Sequence, residues 1–136
     1  MKNIHVYGIG NPLIDAIIQC EDDEIAGYGI EKGTMNLIEP ERGEEILASL
    51  THKEKIYLAG GSCPNTVIAL ADLGSTVALG GTVGEDELGS IYGQRLQDHN
   101  VVSCLSTHPG STGTSIILVS PDAERTMNTQ IGRAHV

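Results

Sequence analysis

Two short stretches hold the residues whose types and spacing could do chemistry. The first is LAGGSCPNTVIALADLG, Leu58 to Gly74, where a strand-like end runs into Gly60 and Gly61 and then into a helix pattern. Two glycines let the backbone turn sharply and let a ligand approach, because no Cβ stands in the way. Ser62 is an N-cap by type, Pro64 suits the first helical turn and Gly74 suits the far end. A plain strand–turn–helix needs no more than that. Asn65 goes further, since an amide is a mediocre helix former and its side chain can aim at whatever fills the glycine gap. Ligands of open α/β sheets collect beyond the carboxyl ends of strands, and an amide there suits the hydroxyls of a sugar.

The second stretch is GIGNPLID, Gly8 to Asp15. It fails as a dinucleotide fingerprint, because Leu13 stands where the third glycine belongs. Asn11 and Asp15 remain. Asp15 is a carboxylate embedded in the apolar run LIDAIIQC. Either it faces solvent from an exposed strand, or it accepts hydrogen bonds from a pair of hydroxyls, as an ionised carboxylate can.

The surrounding pattern says what must position these residues. Strands are predicted over Ile4–Tyr7, Leu13–Cys20, Gly33–Ile38, Lys55–Ala59, Thr76–Leu79, Val101–Thr107 and Ser115–Val119. Helices are predicted over Pro40–Leu50, Pro64–Leu73 and Asp86–His99, the last with Leu88, Ile91, Tyr92, Arg95 and Leu96 as its stripe. Strand–helix alternation implies βαβ units and a parallel sheet with helices on its faces. The extra strands between Leu13 and Ile38, and a hairpin expected over 101–119 around a Pro-Gly-Ser turn, predict a small second sheet.

Composition bounds the partners. The chain has 136 residues and a net charge of −10, from 18 acids against 8 bases, which argues against nucleic acid and anionic membranes. A phosphorylated small ligand stays open, since it needs only a local positive dipole. With no Phe and no Trp, the core must be built from Ile, Leu, Val and Ala. Cys20, Cys63 and Cys104 are odd in number and far apart, so neither a disulfide framework nor a zinc site is expected, and no metal ligand is assigned. With no signal-peptide layout and no transmembrane-length run, a soluble cytoplasmic protein is the expectation.

Five blocks taken together carry a resemblance. They are GIGNPLID at Gly8–Asp15, KGTMNLIE at Lys32–Glu39, GGSCPNTVIALADLG at Gly60–Gly74, GTVGEDELG at Gly81–Gly89 and STGTSIILVSPDAERTMNT at Ser111–Thr129. In this order and spacing the chain resembles the N-terminal part of the ribokinase-like (PfkB) family of sugar and nucleoside kinases, in its adenosine-kinase-like branch. The resemblance implies a three-layer α/β fold with a parallel-rich central sheet and flanking helices, plus a small β-sheet lid built from about 13–20, 33–38 and 101–119. It implies that residues 1–129 are the N-terminal part of the kinase domain and that the C-terminal half is missing. It also implies a small-molecule sugar or nucleoside as partner, ATP and Mg2+ as cofactors of the complete enzyme, and a homodimer formed through the lid.

Carried over residue by residue, Asn11, Asp15, Gly60, Gly61 and Asn65 match the positions that hold the sugar hydroxyls, and Thr112 and Gly113 match a lid-strand turn that lines the site. Gly84 and Asp86 match the next block, where Asp86 also reads as an N-cap. Arg125 opens a strand-like block and reads as a surface or structural residue. No catalytic residue is assigned. Family members draw their base from a Gly-Ala-Gly-Asp block in the C-terminal half, and no such block occurs here. The resemblance therefore implies a substrate-binding and lid half that is inactive alone. The rival reading is a non-catalytic nucleoside- or sugar-binding module with the same fold.

The last residues carry a separate expectation. IGRAHV, Ile131 to Val136, is what ATC GGA AGA GCA CAC GTC encodes, a string that matches a common sequencing adapter, and Gln130 as CAG supplies the AG that precedes it. Residues 130–136 are accordingly expected to be an adapter-derived tail and to stand outside fold reasoning.

Overall fold

The computed structural model describes residues 3–131. Along the chain run β1 (Val6–Ile9), β2 (Leu13–Gln19), α1 (Asp22–Gly27), β3 (Met35–Leu37), α2 (Pro40–Ser49), β4 (Ile56–Gly60), α3 (Ser62–Asp72), β5 (Val77–Gly84), α4 (Glu87–Asp98), β6 (Val102–His108), β7 (Gly113–Val119) and β8 (Arg125–Gln130). Residues 132–136 of the expected tail lie outside the described residues; Gln130 ends β8 in register with Thr114. The strands form a three-stranded sheet in the order β1-β5-β6 and a five-stranded sheet in the order β3-β8-β7-β2-β4. The fold is α/β, with parallel pairing in both sheets and flanking helices.

The chain divides into two compact units. In the first, which takes in residues 59–113, β5–α4–β6 is a βαβ unit, and β1 and β6 both pair with β5 in parallel. Its core joins Ile14, Val67, Ile68, Val77, Leu79, Val83, Tyr92, Leu96 and Val101. Helix α3 supplies Val67 and Ile68, and α4 supplies Tyr92 and Leu96 at a spacing of four residues. The second unit, residues 15–58 and 114–131, packs α1 and α2 on one face of its sheet. There Ile18, Ile25, Ile46, Ile116 and Leu118 close a core without one aromatic ring among its fully buried members.

Two sequence expectations are corrected. The hairpin over 101–119 does not form: β6 pairs with β5 in the first sheet, whereas β7 pairs with β8 in the second. Local turn signals at Pro109-Gly110-Ser111 favour a hairpin, but α4 is a crossover helix and so returns the chain parallel to β5. The stretch assigned to the small sheet is thus divided, with 102–108 in the three-stranded sheet and 113–119 in the five-stranded one. The second correction is α1, which lies in what reads as a loop. It has six residues and one buried apolar side chain, Ile25, so it carries no periodicity; it starts where the Glu24 carboxylate takes the Glu21 N–H at 2.7 Å.

Candidate functional site

The turn between β4 and α3 is built on Gly61. Its φ of +104° is closed to ordinary L residues, and a Cβ there would stand 2.5 Å from the Asn11 carbonyl oxygen. Glycine is therefore required twice over, by torsion and by space. Gly61 is the N-cap of α3, so Ser62, expected as the cap, is instead the first helical residue. The Asn65 N–H donates to the Gly61 carbonyl at 2.9 Å and closes the first helical turn. The Asn65 side chain is exposed and Asn11 is half-buried. Gly60 is buried, and its carbonyl accepts the Tyr92 hydroxyl at 2.7 Å. Asn11, Gly60, Gly61 and Asn65 all belong to the first unit.

Gly8 in β1 and Gly10 just after it serve packing. A Cβ on Gly8 would meet Val67 at 2.5 Å and one on Gly10 would meet Cys63 at 2.6 Å, so both glycines seat α3 against the strand. The register pairs Tyr7 with Ala78, Ile9 with Gly80 and Gly80 with Cys104, which puts these residues on one sheet face. Leu79 and Val83 point the other way, into the core beneath α3 and α4. A hollow of about 540 Å³ opens on the first face, lined by Tyr7, Ile9, Asn11, Gly80, Gly81 and Cys104 among others.

Asp15 lies in the second unit, in β2. Alternation along β2 buries Ala16 and Ile18 and turns Asp15 and Ile17 to the other face. In β8, Thr126 and Asn128 are in register with Leu118 and Ile116, which pack in the core. Arg125, Met127 and Thr129 therefore occupy the face away from the helices. Burial pushes the Asp15 carboxyl above its ordinary value, and the Arg125 guanidinium partly opposes this. Arg125, read from sequence as surface or structural, is thus the charge that Asp15 feels. The two residues are far apart in sequence, so nothing local announces this. On the same face β3 places Met35 opposite Met127 and Leu37 opposite Thr129, with Met35 65% and Leu37 69% exposed.

Thr112 and Gly113 are buried within the first unit. Thr112 donates its N–H and its hydroxyl to Asp86, which caps α4 through the Gly89 N–H. Asp86 is therefore the N-cap that its position suits, and Gly84 approaches the 110–112 backbone so closely that no side chain would fit. Among the described residues no group of three or more His, Cys, Asp and Glu is placed to hold a metal ion. No helix of the described residues is long and apolar enough to cross a membrane.

Known proteins share this architecture. An adenosine kinase from Sinorhizobium meliloti matches with 34% identity and a TM-score of 0.81, over 98% of this chain and 41% of that one. A probable sugar kinase from Rhizobium etli CFN 42 matches with 33% identity and a TM-score of 0.77, over 98% and 41%. The adenosine kinase of Schistosoma mansoni, solved with adenosine in an occluded loop conformation, matches with 27% identity and a TM-score of 0.83, over 96% and 38%. The chain thus spans about two fifths of the length of these relatives. Residues 32–136 match the description "pfkB family carbohydrate kinase". By that match the chain belongs to the pfkB family of carbohydrate kinases.

Proposed function

We propose that this chain is the substrate-binding and lid part of an ATP-dependent nucleoside kinase of the adenosine-kinase type, which transfers a phosphoryl group from ATP to a sugar hydroxyl. Asn11, Asp15, Gly60, Gly61 and Asn65 bind the sugar, with Thr112 and Gly113 setting the start of β7. The carrying observation is the Gly61 turn, whose positive φ and close contact with the Asn11 carbonyl admit no side chain and bring Asn11, Gly60, Gly61 and Asn65 into one unit. Asp15 supplies a carboxylate that accepts two hydroxyl donors and orients them.

One observation favours a nucleoside over a plain sugar. On the face that carries Asp15, Met35, Leu37 and Met127 present apolar surface suited to a flat base. The base for the attacking hydroxyl is not assigned, because no Gly-Ala-Gly-Asp block occurs in the chain. ATP with Mg2+ supplies the phosphoryl group and neutralises charge on it. The described residues do not fit a metal site, so no step is routed through this chain's side chains to Mg2+. A cytoplasmic location agrees with three free cysteines. Pairing of two copies through the lid agrees with edge strand β4, which exposes Ile56, Tyr57 and Leu58.

The test is a binding panel of adenosine, ribose and fructose against the chain, alongside a kinase assay. Adenosine binding that Asp15→Ala abolishes, without turnover of ATP, is the expected result. Turnover by this chain alone would overturn the assignment of the chemistry to other polypeptide. Equal affinity for all three compounds would overturn the nucleoside reading and favour a general hydroxyl-binding module.

A further inference from the structure

Two adjacent glycines make a turn that is poorly determined by its own backbone. Glycine visits positive and negative φ with similar ease, so the peptide plane between Gly60 and Gly61 can flip at little local cost. Something outside the turn must choose one orientation if the turn is to present a defined group to a ligand.

The Tyr92 hydroxyl makes that choice. Tyr92, fully buried in α4, donates its hydroxyl to the Gly60 carbonyl at 2.7 Å. The Gly60 carbonyl and the Gly61 N–H belong to the same peptide unit. No cis peptide bond occurs in the described residues, and in a planar trans peptide the C=O and N–H point in opposite directions. With the carbonyl drawn toward the Tyr92 hydroxyl, the Gly61 N–H is aimed the opposite way, away from α4. The ring of Tyr92 is part of the core that also holds Val67, Ile68 and Leu96, so its hydroxyl sits on a rigid support.

We propose that Tyr92 is a positioning residue: its hydroxyl locks the Gly60–Gly61 peptide in the orientation that offers the Gly61 N–H to a ligand oxygen. The inference rests on the reading of this turn as a sugar-binding element. It adds a residue 31 positions beyond the turn that touches no ligand and yet sets the turn's affinity. A purely structural Tyr92 would stabilise the core and leave both the Gly61 amide and ligand affinity unmoved.

The experiment uses the 15N-labelled chain, adenosine as probe, and two variants. Tyr92→Phe keeps the ring and removes the hydroxyl. Leu96→Val loosens the same helix and leaves the hydroxyl in place. The expected result has three parts: adenosine shifts the wild-type Gly61 amide resonance, Tyr92→Phe displaces that resonance without ligand, and Tyr92→Phe weakens adenosine about five- to tenfold, the scale of one neutral hydrogen bond. Leu96→Val lowers stability and changes neither. An unmoved Gly61 resonance in Tyr92→Phe, or unchanged affinity beside a moved resonance, overturns the inference. Should Tyr92→Phe fail to fold, the wild-type titration decides, because a Gly61 amide silent while other resonances respond overturns the inference. Absence of any adenosine binding by the wild type overturns the substrate reading instead, and the ligand-free Gly61 resonance in Tyr92→Phe then decides the peptide lock alone.

Discussion

The Asp86 carboxylate takes both hydrogens that Thr112 can offer, the backbone N–H at 2.8 Å on Oδ2 and the hydroxyl at 2.5 Å on Oδ1. The same Oδ1 accepts the Gly89 N–H at 2.8 Å, and the Thr112 hydroxyl oxygen accepts the Gly84 N–H at 3.0 Å. One side chain therefore caps α4 and also pins the residue that precedes β7. A Cβ on Gly89 would meet the Gly84 carbonyl and the Thr112 hydroxyl, so the glycines around Asp86 exist to let these backbones meet.

Asp86→Ala should cost about 2–4 kcal/mol, a lost cap plus buried donors left on Thr112 and Gly89. Asp86→Asn keeps one acceptor oxygen and should cost less. Burial pushes the Asp86 carboxyl up, but the Thr112 and Gly89 hydrogen bonds outweigh this and hold it below the ordinary value. A depressed folded value gives stability that is complete above the unfolded value and fades as pH falls through the folded one. Urea unfolding from pH 2 to pH 6 should therefore show a shallower acid loss in Asp86→Asn than in the wild type. Parallel curves would show that Asp86 does not carry the linkage.

Gly61 and Gly74 form a matched pair for separating strain from collision. Gly61 has φ +104° and Gly74 has φ +96°, but a Cβ on Gly74 meets nothing within 4 Å, whereas one on Gly61 meets the Asn11 carbonyl. Gly74→Ala should cost only the left-handed penalty, about 1–2 kcal/mol. Gly61→Ala should cost clearly more and should displace Asn11. Equal denaturation midpoints for the two variants would show that the contact with Asn11 does not constrain the turn.

Much of this was legible in the chain and some was not, for reasons that particular residues show. The buried stripe of α4 was readable in part: Leu88, Tyr92 and Leu96 recur at helical spacing and pack in the core, whereas Ile91 and Arg95, expected in the same stripe, are exposed. Asp86 was readable as a cap from its place before a helix. Its bonds to Thr112 were not, because nothing local says which loop returns to it. Asn11, Gly60, Gly61 and Asn65 were singled out by type, and the fold places them in one unit. The partition of 101–119 between two sheets was illegible because turn residues report a reversal of the chain and not the strand that it will pair with. The influence of Arg125 on Asp15 was illegible as well, since the two residues are far apart in sequence.

Lys32 holds a surface cluster together, with Asp122 at 2.7 Å and Asp22 at 2.9 Å. Hydrogen bonds from Lys32 and then from Ser120 pull the Asp122 carboxyl down to about 2. Lys32→Ala should return the Asp122 midpoint most of the way toward the ordinary value, read by carboxyl-carbon NMR titration. The stability gained from this depressed value is present above the unfolded value and disappears as pH falls toward 2. Asp22 and Asp122 are exposed and Lys32 is half-buried, so 0.5 M salt should weaken the cluster and the melting temperature at pH 7 should change little with the substitution. A large fall in melting temperature would mean that the cluster braces more than the loop it lies on.

Asp15 carries the opposite sign. Its folded value is raised by burial, so the folded state holds that proton more tightly than the unfolded chain does, and stability declines as pH rises from the unfolded value through the folded one. At neutral pH the ionised carboxylate is therefore a small standing cost, relieved only in part by Arg125. Arg125→Gln should raise the Asp15 midpoint further and steepen this decline, while Asp15→Asn should remove it and leave the protein slightly more stable above pH 6. The same Asp15→Asn change replaces a charged double acceptor with a single neutral one, which should weaken adenosine by about ten- to a hundredfold, the scale of a hydrogen bond to a charged group. A residue kept at a cost in stability because a ligand needs its charge must show both effects together. Asp15→Asn that leaves affinity intact, or that lowers stability at pH 7, would break that link and return Asp15 to an ordinary strand residue.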